Sequence, residues 1–216
     1  MSGEFVARME DVLELYHEAY DPDLPVVCFD ETSRQLVADK RPPIRANPGR
    51  VQRYDYEYKR NGTRNLLMFC EPKRGWRHVE GPERRTAVDF AHQMRWLVDE
   101  AYPDAKVVRL VVDNLNIHKL GSLYDAFEPA EARRIARRLE FHYTPVHGSW
   151  LNMAEIELSV FSSRCLNRRI SDEAALKRTD APPSSVFCSD TAVVRPVSLV
   201  SCGCVCEAQS SLCHAL

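Results

Sequence analysis

Three acidic residues are set where a carboxylate can do chemistry. Asp30 follows the apolar run Val26–Phe29, inside or at the end of a strand. Asp113 closes the apolar run Val107–Val112. Glu155 falls in the first turn of a helix that begins near Asn152. A carboxylate at the edge of a buried strand is costly to desolvate unless it is paired or holds a cation. Two strand-end carboxylates and one from a helix can hold two Mg²⁺ or Mn²⁺ ions about 4 Å apart, one activating the attacking oxygen, the other steadying the leaving oxygen. Oxygen donors alone suit these hard cations.

Each acid also has a plainer role. Asp30 and Glu31 can cap the turn after their strand, and Asp113-Asn114 is a natural strand-to-loop signal. Asn152 followed three residues later by Glu155 is the capping-box pattern. Glu157 competes with Glu155, but at about 100° per residue the two point to nearly opposite sides of the helix. Glu155 shares its face with the small, polar Ser159 and Ser162, whereas Glu157 lies near Arg164.

The elements that must position these acids follow from periodicity. A helix is predicted over 9–20 and a buried strand over 26–33. The segment 41–50 is a basic, proline-broken loop. Two strands, around 64–72 and 76–81, flank a turn. A helix over 83–102 carries the apolar stripe Ala87, Phe90, Ala91, Met94, Leu97 and Val98. Then come the strand ending at Asp113, a basic helix over 129–140, a short strand at 141–145 and a last helix over 152–170. Mixed strands followed by alternating strands and helices define an α/β layered domain.

The 216 residues suffice for one domain with a real core. No apolar run nears the roughly 18 residues that span a membrane. The N-terminus has no apolar signal-peptide core, so a cytoplasmic protein without a membrane partner is expected. A formal net charge of −2 argues against a wholly basic DNA-binding protein, but not against an enzyme that touches DNA through local clusters.

Of eight cysteines, Cys28, Cys70 and Cys165 sit singly in apolar stretches and read as small buried hydrophobes. The other five fall after residue 180, with seven serines, one arginine and no lysine. Residues 178–216 therefore read as a disordered, Cys-rich tail of low order, the product of a frame change. A zinc site built from Cys202, Cys204, Cys206, Cys213 and His214 is the alternative, but single-residue gaps suit one tetrahedral ion poorly.

Taken together, "VVCFDETS", "VVRLVVDNLNIHK" and "FHYTPVHGSWLNMAEIELSVFSSRCL" resemble the DDE transposases of bacterial insertion sequences related to the mariner superfamily. The resemblance covers about residues 1–177. "SWLNMAE" resembles that family's Leu-Asn-x-x-Glu signature, which favours Glu155 over Glu157 and assigns Asp30 and Asp113 as the first two acids. It implies a ribonuclease H-like fold: a mixed five-stranded sheet flanked by helices. It implies two Mg²⁺ or Mn²⁺ ions as cofactors, and cleavage of a phosphodiester at the element's ends followed by strand transfer. DNA, both transposon ends and target, is the implied partner, with a homodimer or a pairing with full-length transposase.

Further residues have two readings each. His118 and His147 flank two of the acids, and either touch phosphate, orient a carboxylate, or lie in surface loops. Trp150 either stacks on a base or anchors the helix start. Arg133, Arg134, Arg137 and Arg138 recur at helical spacing; they either contact phosphates or pair with Glu128 and Glu131 on a solvated face.

The sequence departs from the family pattern at both ends. No helix-turn-helix is expected ahead of the first strand, and the last helix gives way to the tail near Leu176. The 41 residues between Asp113 and Glu155 exceed the gap in related eukaryotic elements, implying an insertion around the basic helix. A truncated transposase is expected on this basis. An inactive remnant that binds DNA or full-length transposase is the alternative.

Overall fold

The computed structural model describes residues 2–180, with side chains to residue 177. Helix α1 (Gly3–His17) precedes the long strand β1 (Val26–Asp39). Strands β2 (Tyr58–Glu71) and β3 (Trp76–Glu80) complete an antiparallel run. Helix α2 (Ala87–Trp96) continues into a π-helical turn, Leu97–Ala101. Then follow β4 (Val108–Val112), α3 (Gly121–Ala126), α4 (Pro129–Ala136) and β5 (Leu139–Tyr143). A 3₁₀ turn, Ser149–Leu151, leads into α5 (Met153–Arg164), and α6 (Glu173–Asp180) ends the described chain.

The strands form one mixed sheet ordered β3-β2-β1-β4-β5. β1 pairs antiparallel with β2 and parallel with β4, and β4 pairs parallel with β5. Side chains alternate along each strand, so the sheet has two buried faces. Val27, Phe29 and Leu110 face α2, α3 and α4, while Val26, Cys28 and Val111 face α1 and α5. Burial on both faces is why β4 is apolar without alternation.

Several boundaries differ from the expected ones. β1 runs on to Asp39 because β2 pairs with it from Cys28 to Asp39, past a bulge at Leu36 and beyond the apolar stretch visible in the sequence. α2 starts at Ala87, where Thr86 and Asp89 form a reciprocal capping box. The basic helix stops at Ala136, because Leu139 is needed in β5 opposite Val108. The last helix breaks at Arg164 instead of running to 170. There the Arg34 guanidinium takes the Leu166 carbonyl, and the Val37 amide donates to Ile170 O at 2.7 Å. α3 was not foreseen. The short helix α6 continues past the expected boundary at 177.

Cys28 and Cys70 are buried as expected; Cys165 is only half-buried. The five remaining cysteines, with the zinc and frame-change readings, lie outside the described residues. Among the described residues no helix is long and apolar enough to cross a membrane.

Candidate active site

The register of the sheet brings the first two acids together. Val26, Val27 and Cys28 pair with Arg109, Leu110 and Val111. Continuing that register by two residues sets Asp30 abreast of Asp113, one strand spacing of about 4.8 Å away. Both share the parity of Cys28 and Val111, which face α5. Helix α5, with Glu155 in its first turn, packs on that same face.

Asn152 fixes the third acid relative to the first. This side chain is only 1% exposed. Its amide donates to the Phe29 carbonyl at 2.8 Å, and its Oδ1 accepts from the Ala154 amide at 3.1 Å. Phe29 immediately precedes Asp30, and Ala154 immediately precedes Glu155. One side chain thus caps α5 and ties it to β1. The capping-box role expected for Glu155 is not made, because the Asn152 amide is taken by Ser149 O at 2.8 Å. Glu155 is exposed, and its carboxylate has no hydrogen bond or ion pair among the described residues. Glu157 instead grips Arg77 of β3 in a bidentate pair at 2.6 and 2.8 Å. Its partner is Arg77, far away in sequence, and not Arg164.

Asp30 is pushed up to about 6. Burial is the main cause, and the charges of Glu31, Asp113 and Glu155 add to it, against a hydrogen bond from the Glu31 amide. Asp113 is held below its ordinary range. Burial would raise it, but hydrogen bonds from His118 and the Leu115 amide outweigh that. His118 is raised to about 9: burial would lower it, and its contacts with Asp113 and Glu31 prevail.

Among the described residues, no three acidic, histidine or cysteine side chains close tightly enough to enclose a cation as they stand. The donor set nonetheless fits a hard divalent cation. It is all oxygen, and Asp30, raised mainly by burial and further by neighbouring acidic charge, is a carboxylate whose ionised form a cation would favour.

The remaining predicted residues divide. His118 is 1% exposed, with Nδ1 at 2.6 Å from Asp113 Oδ1, so it orients a carboxylate and does not face a phosphate. His147 is exposed and holds a left-handed backbone (φ 64°) in the turn before α5. Trp150 is 61% exposed and does not anchor the helix; the buried Leu151 does. Arg133 and Arg137 are exposed, without ion pairs among the described residues, but α4 places them badly for the acids. Its C-terminus meets the start of β4, where Val108 N donates to Arg138 O at 2.8 Å. Asp113 lies at the other end of β4, five residues or about 16 Å away. Arg134 pairs with Asp99 and Glu131, and Arg138 donates to the Tyr102 and Pro103 carbonyls.

Sequence reasoning set Glu31 aside as a turn residue. It lies on the opposite face of β1 from Asp30, its side chain only 4% exposed, with Oε2 at 3.0 Å from His118 Nε2. Its position beside Asp30 gave no sign of this, because the partner comes from a loop 87 residues on.

A mixed five-stranded sheet in this order, flanked by helices, is a ribonuclease H-like fold. The DDE superfamily endonuclease family matches residues 25–177, and the chain belongs to it. Solved structures of similar fold include the Mos1 mariner paired end complex with Mn (TM-score 0.52, 16% identity, 82% of this chain and 54% of that chain). The Mos1 strand transfer complex is similar too (TM-score 0.54, 17% identity, 81% and 51%). So is a pre-cleavage Mos1 transpososome (TM-score 0.52, 17% identity, 81% and 53%). At these identities the likeness is one of fold, and this chain spans about half the length of the Mos1 chains. No curated protein matches the sequence significantly.

Proposed function

We propose that residues 1–177 form the catalytic domain of an insertion-sequence transposase, acting on transposon ends and target DNA in the cytoplasm. Asp30, Asp113 and Glu155 are its catalytic acids and would hold the divalent cations. The observation that carries this is geometric: the β1–β4 register sets Asp30 beside Asp113 on the face that α5 packs against, and Glu155 stands in the first turn of α5.

Two Mg²⁺ or Mn²⁺ ions, when bound, would supply charge neutralisation at the scissile phosphate and activation of the attacking oxygen. The chain's own residues do the rest. The β1–β4 register brings Asp30 beside Asp113, and Asn152, tied to the Phe29 carbonyl, joins the start of α5 to β1. In the first step water attacks phosphorus, the P–O3′ bond breaks, and a 3′-hydroxyl is released. In the second that hydroxyl attacks a target phosphorus and displaces the target's 3′ oxygen. Both are in-line displacements, so one site serves both. His147 and Trp150, exposed just ahead of α5, are the residues best placed to meet DNA. A homodimer, or pairing with a full-length relative, is the proposed assembly.

The test is nicking of supercoiled plasmid by the purified chain with Mn²⁺, Mg²⁺ or EDTA. Metal-dependent nicking, lost in Asp113→Asn and in Glu155→Gln, is expected. A folded chain that does not nick, or a Glu155→Gln variant that nicks normally, refutes the assignment.

A further inference from the structure

We propose that Glu31 and His118 form a clamp, built from the opposite face of the sheet, that positions Asp113 for its cation. This rests on the metal-site reading above.

The imidazole of His118 lies between two carboxylates. Nδ1 is 2.6 Å from Asp113 Oδ1, and Nε2 is 3.0 Å from Glu31 Oε2. Asp113 holds the ring by a hydrogen bond at Nδ1 and Glu31 by an ion-pair contact at Nε2, so it cannot turn without losing one of them. The ring is further wedged by Phe29, edge-on at 5.2 Å, and Phe90 at 5.0 Å. The loop that carries it is pinned as well: Tyr143 donates to the His118 carbonyl at 2.9 Å, and Ser122 to the Ile117 carbonyl at 2.6 Å.

Asp113 needs such support. It stands one residue past the end of β4. The clamp acts on one oxygen. Asp113 Oδ1 accepts from both His118 and the Leu115 amide (3.0 Å), while Oδ2 has no partner among the described residues. A carboxylate held by one oxygen presents the other in a fixed direction, as a ligand should. Glu31 is buried, with Arg85 3.6 Å away, and its burial would be costly without the imidazole. Glu31 is thus a positioning residue: it touches neither Asp113 nor the reacting atoms.

The test uses the full chain and Mn²⁺ alone, with free ion followed by electron paramagnetic resonance. Glu31→Ala and His118→Ala are each expected to weaken Mn²⁺ binding about 10- to 100-fold. The double variant should be no weaker than His118→Ala, because the two act through one contact. His118→Asn, whose amide can replace Nδ1 as donor, should recover part of the affinity. In the metal-free protein, the downfield ring N–H resonance of His118 should shift in Glu31→Ala. Folding of each variant is checked by circular dichroism. If folded Glu31→Ala binds Mn²⁺ like wild type, or if the two effects multiply, the clamp is overturned. If wild type binds no Mn²⁺ while the resonance still responds to Glu31, the metal-site reading itself has failed, and the clamp's role with it.

Discussion

Asn152 makes two hydrogen bonds whose loss can be separated. Asn152→Ala removes the cap on α5, about 1 kcal/mol. It also leaves the buried Phe29 carbonyl, one residue past the last β1–β4 pair, without the Asn152 donor, about 1–3 kcal/mol. The sum is about 2–4 kcal/mol. With a urea slope of about 2 kcal/mol per molar, the midpoint should fall by about 1–2 M at unchanged slope. Asn152→Ser keeps a capping oxygen but is too short to reach Phe29 O, so it should recover about 1 kcal/mol of the loss. Because the tie joins the residues before Asp30 and Glu155, both variants should also slow nicking. A displacement of about 1 Å can cost about 100-fold in rate. An Asn152→Ala cost below about 0.5 kcal/mol, or equal costs for Ala and Ser, would refute this account of how α5 is held.

Four further outcomes are expected. Asp30 is raised from 3.8 to about 6, so its ionisation opposes folding. That penalty is fully present above pH 6 and vanishes as pH falls towards 4; Asp30→Asn should stabilise the metal-free chain at pH 8 by up to about 3 kcal/mol, with no gain at pH 4, in urea titrations at each pH. His118, raised to about 9, contributes stability that is present below its unfolded value of 6.5 and lost as pH rises through 9, a separate window that its Ala variant should erase. Glu157→Gln should lower stability by up to about 1 kcal/mol, through loss of its part-exposed pair with Arg77, and leave nicking intact, the reverse of Glu155→Gln. Trp150→Ala should change stability by less than about 0.5 kcal/mol but weaken single-strand DNA binding by about 1 kcal/mol or more, read by fluorescence anisotropy.

Local sequence was enough to read the strands that carry Asp30 and Asp113, the start of α5 at Asn152, and two core cysteines, Cys28 and Cys70. These are local matters of apolar runs, periodicity and capping chemistry, and the blocks around the acids were enough to suggest the family. Tertiary structure decided what each polar residue faces. Glu155 and Glu157 are equivalent helix residues until β3 brings Arg77 to one of them. Glu31 and Asp30 are neighbours in sequence, but strand alternation sends them to opposite faces, one to His118 and the other to α5. Arg137 has a fitting charge, and the fold sets it near the start of β4, whereas Asp113 follows its end. The length of β1 and the break after Arg164 depend on partners from β2 and β1, distant in sequence. Local propensity is a property of neighbours along the chain. The pairing of a buried charge is a property of neighbours in space, which only the folded sheet defines.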